Sequence, residues 1–247
     1  MTSNAGYGHI GGSLSVADIM AILFGKIMNF RASQPQWERR DRLILSAGHI
    51  CPSLYSAYAH SGFIPLSELK TYAQPISRLQ GHPDKSMLPI LETSSGSLGQ
   101  GLSIATGLAL ALKLKSISSK VYCIQSDAEQ EEGSVWEAAM IANHYKLNNL
   151  ISIIDRNRLQ VDGTTENVAG LAPLRPKYEA FGWHVIEADG HNYNDLIDAF
   201  ANVNDRKPNI IIAHTILGKG IKQIENNRQW HSKVLPKQMV EKYINQI

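Results

Sequence analysis

The chain has 247 residues, of which 43% are hydrophobic and 19% charged, a balance that excludes intrinsic disorder and is sufficient for a packed core. Its 24 basic and 22 acidic residues are interspersed and leave a net charge of +2, so no clustered basic face for nucleic acid is expected. Two cysteines, Cys51 and Cys123, cannot build a disulfide framework. No apolar run reaches membrane-spanning length and no signal-peptide pattern opens the chain, so the cytoplasm is the expected compartment.

In chain order, Val16 to Met28 carries apolar residues at helical spacing, with Ser15 as its N-cap and Asp18 at the third helical position. A short strand over Leu43–Leu45 follows. Leu102 to Leu114, rich in Ala, Leu and Gly, reads as a buried helix, and Val121–Ile124 as the next strand, in which Cys123 packs as a small hydrophobe. A helix over Ser134–Tyr145 leads to a strand at Leu150–Ile154. A strand at Trp183–Ile186, a helix over Tyr193–Val203 capped by Asn192, a strand at Asn209–Ala213 and a short final helix complete the pattern. The strands are continuously apolar rather than alternating, as in sheets buried on both faces. Strand and helix alternate throughout, which predicts an α/β protein with a parallel sheet flanked by helices, in one domain over residues 1–247. Right-handed crossovers then bring all strand carboxyl ends to one edge, where ligands bind. Long loops over 61–65, 74–101 and 157–174 interrupt the pattern, and such loops carry function.

Two constellations of residues sit in these connections. After the Val121 strand comes Ser126-Asp127-Ala128-Glu129-Gln130-Glu131-Glu132-Gly133, and after the Leu150 strand comes Asp155-Arg156-Asn157-Arg158-Leu159. If the two strands are parallel neighbours, Asp127 and Asn157 emerge together. A carboxylate, an amide oxygen and a carbonyl beyond Asn157 make a hard oxygen set suited to Mg²⁺ or Ca²⁺ shared with a phosphate; Asp and Asn after a strand also serve simply as turn and cap residues. The second constellation is four of the nine histidines. His9 lies in Gly6-Tyr7-Gly8-His9-Ile10-Gly11-Gly12, His49 in Leu45-Ser46-Ala47-Gly48-His49, His82 in Gly81-His82-Pro83, and His231 beyond Leu217-Gly218-Lys219-Gly220. They lack zinc-ligand spacing, and no G-x-S-x-G elbow supports a serine nucleophile. Neutral imidazoles that bind hydroxyls and move protons fit their surroundings better. His60, His144, His184, His191 and His214 lie beside helices and strands and read as surface or satisfied core residues.

The Ser126–Gly133 to Asn157 stretch resembles the thiamine-diphosphate motif G-D-G-x-x-x-x-G followed about thirty residues later by Asn, with Ser126 and Ala128 in place of the flanking glycines. The ordered set of histidine segments, together with Ser94-Ser95-Gly96-Ser97-Leu98-Gly99-Gln100-Gly101 and Ala188-Asp189-Gly190-His191, resembles the transketolase family over nearly the whole chain. The resemblance implies the thiamine-diphosphate-binding (PP-domain) fold. It implies Mg²⁺ (or Ca²⁺) held by Asp127, Asn157 and the Leu159 carbonyl. Cofactor contacts would come from Gly96, Leu98, Asp127, Ala128, Glu132, Asn157 and Leu217. His9 and His231 would face the reacting carbon, and His49 and His82 would bind the donor's terminal hydroxyl. The family's usual H-G-x-P after the last histidine is here His231-Ser232-Lys233-Val234-Leu235-Pro236. Complete members are longer, with a pyrimidine-binding domain that carries an activating glutamate and a C-terminal domain. Those are expected on a partner chain, a transketolase C-terminal subunit in an α₂β₂ assembly acting on sugar (phosphate) substrates. Three other readings fit some of the same residues: a transketolase-like enzyme of a specialised sugar or secondary pathway, the α subunit of a 2-oxo acid dehydrogenase or decarboxylase, and a degenerate scaffolding paralogue.

Overall fold

The computed structural model describes residues 1–244; the last three residues of the expected domain lie outside the described residues. Five parallel strands form one sheet: β1 (Arg42–Leu45), β2 (Val121–Ser126), β3 (Leu150–Arg156), β4 (His184–Asp189) and β5 (Asn209–His214), in the order β1-β2-β3-β5-β4. Each runs one to three residues beyond the span its apolar core suggested, and β4 begins at His184 rather than at the expected Trp183. Most of the added residues are polar and lie at the carboxyl edge, and some, such as Gln125 and Asp155, are buried there, where hydrophobicity no longer marks a strand.

Alternate side chains of the strands feed two cores. Leu43, Leu45, Tyr122, Ile124, Ile151, Ile153 and Ile211 face one side, and Ile44, Val121, Cys123, Ile154, Ile210 and Ile212 the other. The first core is closed by α1 (Thr2–Ala5), α3 (Ala17–Ile22), α4 (Cys51–His60) and α9 (Tyr193–Ala201), while α2 (Ile10–Ser15) turns Ile10 and Leu14 to a separate small cluster. The second is closed by α5 (Gln100–Leu114), α6 (Gly133–His144) and α8 (Leu174–Ala180). A four-residue helix, α7 (Thr165–Val168), lies in the loop after β3, and α10 (Lys237–Ile244) ends the described chain over a small cluster of Ile221, Ile224, Leu235 and Tyr243. No helix among the described residues is long and apolar enough to cross a membrane.

Two helices differ from the sequence pattern. The helix expected from Val16 to Met28 with Ser15 as its cap is broken at Val16 and ends in a wide π-type turn over Leu23–Ile27. Ser15 closes α2 rather than capping anything. Its hydroxyl donates to Asp155 Oδ1 at 2.6 Å, 140 residues away, a tertiary partner that no local pattern reveals. The helix expected to be buried over Leu102–Leu114 starts at Gln100 and buries one side only, along Gly101, Leu102, Ala105, Thr106, Ala109 and Leu112. By contrast, the Asn192 cap forms as expected, with Oδ1 accepting from the N–H groups of Asn194 and Asp195.

Helix α5 contains an internal control for packing. A Cβ at Gly101 would lie 2.3 Å from Ser46 Cβ, whereas a Cβ at Gly107 would meet nothing within 4 Å. G101A is expected to destabilise the chain by about 2 kcal/mol through overpacking. G107A is expected to raise stability by about 0.5–1 kcal/mol, because helical Ala loses less backbone entropy than Gly. Denaturant melts of the two variants check both signs.

Candidate functional site

The parallel register sets the site. Ser126 pairs with Asp155 across β2 and β3, so Asp127 and Asn157, one and two residues further on, leave adjacent strands at the same edge. Asp127 is 1% exposed and Asn157 7%. The Asp127 carboxylate accepts from the N–H of Ala128 (2.8 Å) and of Arg158 (2.5 Å) and pairs with Arg156 Nη1 at 3.2 Å. Burial, and then the nearby Asp155, push its pKa up to about 7. Asn157 donates its amide Nδ2 to Asp155 Oδ2 at 3.0 Å and accepts the Leu159 N–H on Oδ1, also at 3.0 Å. Asp155 is therefore the residue that orients Asn157, and it is held in turn by the hydroxyls of Ser15 and Thr215. The sequence motif names Asn157 but not this support.

A small cavity of about 190 Å³ opens here, lined by Gly12, His49, Leu98, Asp127, Ala128, Asn157, Leu159 and His231, among others. It is narrower than the ~300–1,000 Å³ pockets that enclose a whole drug-sized ligand. Three buried polar atoms at or beside it lack a partner among the described residues: Ser126 Oγ, His9 Nδ1 and His231 Nδ1. Buried polar groups in proteins are nearly always bonded, so these atoms are free to bond a polar ligand in the cavity.

The four loop histidines, separated by up to 222 positions, converge beside this cavity. His9 lies 5.1 Å from His49, 6.5 Å from His82 and 5.9 Å from His231, measured between ring centroids, and His49 stacks on His231 at 5.5 Å. Backbone bonds fix the approach. Ile10 N–H donates to the Lys233 carbonyl and Gly218 N–H to that of Gly11, which ties the His9 and His231 loops together. Ser95 N–H donates to the Pro83 carbonyl behind His82. Gly48 lets the His49 turn lie against the Ser95 backbone, where a Cβ would be 2.7 Å from the carbonyl. Burial, and then the neighbouring imidazoles, lower His9 to about 4 and His49 to about 3; burial also lowers His82 and His231. The cluster is thus neutral at pH 7 and able both to donate and to accept.

The remaining expected positions divide. Leu98 and Ala128 line the cavity. Gly96 is exposed and flanks the His82 ring. Leu217 is fully buried beside Gly11 and does not line the cavity. Glu132, expected to fix the cofactor region, is instead exposed at the start of α6, its stem against Gly99. The single turn over Ala128–Glu131 directs Glu129 inward instead. Glu129 is fully buried and accepts from Ser46 Oγ, Gly99 N–H (2.6 Å) and Ser126 N–H (3.2 Å). Burial pushes its pKa up to about 7. Its only sequence signal was a charged residue between two chemistry-bearing positions. Among the histidines read as structural, His191 is 8% exposed at its side chain, bonds Asp18 through Nδ1 at 2.7 Å and accepts the Ile216 N–H on Nε2.

Fold and site together are those of a diphosphate-binding domain. Residues 1–246 match the family described as "Transketolase, thiamine diphosphate binding domain", and the chain belongs to that family. It is 40% identical over 242 residues to an apulose-4-phosphate transketolase subunit of Phocaeicola vulgatus, covering 97% of this chain and 86% of that one. It is 40% identical over 236 residues to 6-deoxy-6-sulfo-D-fructose transketolase subunit SqwG of a Clostridium species, covering 95% and 86%. The transketolase of Campylobacter jejuni superposes with a TM-score of 0.92 at 32% identity over 99% of this chain but 40% of that one. The chain thus spans most of the named subunits and about two fifths of that undivided transketolase.

The His49 environment gives a pH test. Its folded pKa is about 3 against an ordinary 6.5, so below pH 6.5 the unfolded chain takes up a proton that the folded chain refuses. Stability therefore falls with pH through that window. A non-titrating H49Q variant lacks this slope. The melting-temperature difference between wild type and H49Q is expected to shift in the variant's favour as pH falls from 7 to 5, as measured by calorimetry.

Proposed function

We propose that the chain is the diphosphate-binding subunit of a two-chain, thiamine-diphosphate- and Mg²⁺-dependent transketolase, which moves a two-carbon ketol unit from a ketose (phosphate) to an aldose (phosphate). The observation that carries this reading is the meeting of a hard oxygen set with four neutral histidines at one sheet edge. Asp127, Asn157 Oδ1 and the Leu159 carbonyl would hold Mg²⁺ (or Ca²⁺), whose charge suits the buried carboxylates. Ala128, Leu98 and the unpartnered Ser126 hydroxyl would border the diphosphate. Thiamine diphosphate, when bound, supplies a nucleophilic carbon and a place to hold the two-carbon unit.

This chain's own residues would do the rest. His49 and His82 would bind the terminal hydroxyl of the donor and orient its carbonyl. His9 and His231 would stand at the reacting hydroxyl. A neutral imidazole can take the proton from the donor's hydroxyl as the carbon–carbon bond breaks, and return it to the acceptor's oxygen. The stacked rings would exclude water from that path.

The cavity's small volume supports a divided site. It suits the diphosphate end of a cofactor, and the pyrimidine end would need walls from another chain. Two relatives named as transketolase subunits favour such a partner, which we expect to be a C-terminal subunit in an α₂β₂ assembly. The expected setting is the cytoplasm, with residues 1–247 forming one domain.

Two outcomes are expected of the complex. D127A should weaken Mg²⁺-dependent thiamine-diphosphate binding by at least about 100-fold in calorimetric titrations, since the set loses its one charged ligand; wild-type affinity would remove the metal assignment. H9N should bind cofactor normally yet lose about 10²-fold or more in kcat, with ketoses consumed and no CO₂ released by either protein.

A further inference from the structure

The motif reading gives no role to Arg156, the residue between Asp155 and Asn157. Its guanidinium is 7% exposed and sits between two carboxylates. Nη1 reaches Asp127 Oδ2 at 3.2 Å and Thr165 Oγ1 at 2.7 Å, and Nη2 reaches Glu166 Oε1 at 2.5 Å. Among the described residues it is the only Lys or Arg paired with Asp127. Glu166, 41% exposed, accepts in addition the Ala172 N–H on Oε2 at 3.2 Å. One side chain thus joins a proposed metal ligand to α7 and to the residues that follow it. Helix α7 has little packing of its own: four residues, of which Thr165 alone is buried.

We propose that Arg156, shared in the metal-free chain between Asp127 and Glu166, gives up its Asp127 contact when a divalent cation binds and pairs with Glu166 alone, so that metal binding tightens the segment 166–172. This rests on the metal reading given above. Metal and guanidinium would compete for one oxygen. Asp127 Oδ2 already accepts the Arg158 N–H at 2.5 Å, and the Arg156 contact is the longest of the guanidinium's three. A divalent cation on Asp127 satisfies that carboxylate and repels the guanidinium, and in a buried site the repulsion is weakly screened. Thr165 and Glu166 already bond the guanidinium and keep it when Asp127 is lost to it. Arg156 touches neither metal nor substrate in this scheme and is a positioning residue.

The scheme predicts opposite signs for its two partners, which a merely structural role does not. The test is a Mn²⁺ titration, read by electron paramagnetic resonance with thiamine diphosphate present, on the complex of this chain with its partner. Hydrogen exchange over 166–172 is followed in parallel. E166A removes the acceptor and leaves Arg156 on Asp127, so Mn²⁺ binding should weaken at least about fivefold and metal-dependent protection of 166–172 should disappear. R156M removes the competitor, so Mn²⁺ should bind at least as tightly as in wild type, and adding E166A to R156M should change affinity no further. Equal weakening by both single variants, or unchanged protection in E166A, would overturn the proposal and leave the metal site intact. Should R156M fail to fold, the exposed E166A variant decides the matter alone. A wild-type complex that binds no Mn²⁺ would overturn the metal reading and this inference with it.

Discussion

Three backbone segments meet at one buried carboxylate. Glu129 receives the Ser46 hydroxyl from the end of β1, the Gly99 N–H that precedes α5, and the Ser126 N–H at the end of β2. It therefore fixes, in a single turn, where the His49 segment, the Leu98 wall and Asp127 lie relative to one another. Without it, three donors would be left buried and unbonded, at a cost of about 1–3 kcal/mol each. The fold tolerates a buried carboxyl here because it is so fully bonded, and the site inherits its rigidity from that arrangement.

The second constraint is the parallel sheet. Every strand ends at the same edge, so residues far apart in the chain arrive together without any local signal. Asp155 shows the consequence. It is buried in β3, receives Ser15 from α2 and Thr215 from beyond β5, and holds the Asn157 amide. The oxygen that a cation would meet is thus oriented by a network drawn from the beginning, middle and end of the chain.

Much of this was legible in the sequence, and for identifiable reasons. The five apolar runs marked all five strands: β1, β2, β3 and β5 are largely apolar through their buried lengths, whereas the edge strand β4 alternates buried and more exposed positions, against the expected continuous burial. Asn192 announced its helix, since its cap is a local interaction. Adjacent exits for Asp127 and Asn157 followed from a single helical crossover. What escaped was nonlocal. Ser15 looks like a helix cap until Asp155 is placed beside it. Glu129 and Glu132 are the same residue type three apart, and only the turn between them decides which points inward. Leu217 belongs to the family pattern, yet it packs beside Gly11 and does not line the cavity. Arg156 is invisible to a motif that reads only its neighbours.

On the proposed reading, the oxygen set, the histidine cluster and the small cavity would form half of a catalytic centre, completed by a partner chain. The most direct test is to purify the tagged chain gently from its host, identify what accompanies it by mass spectrometry, and assay the isolated chain and the complex for ketol transfer. The account predicts a stoichiometric partner with a pyrimidine-binding domain, and turnover by the complex alone. An isolated chain that turns over sugar phosphates at an ordinary enzymatic rate, or one that is recovered without such a partner, would contradict it.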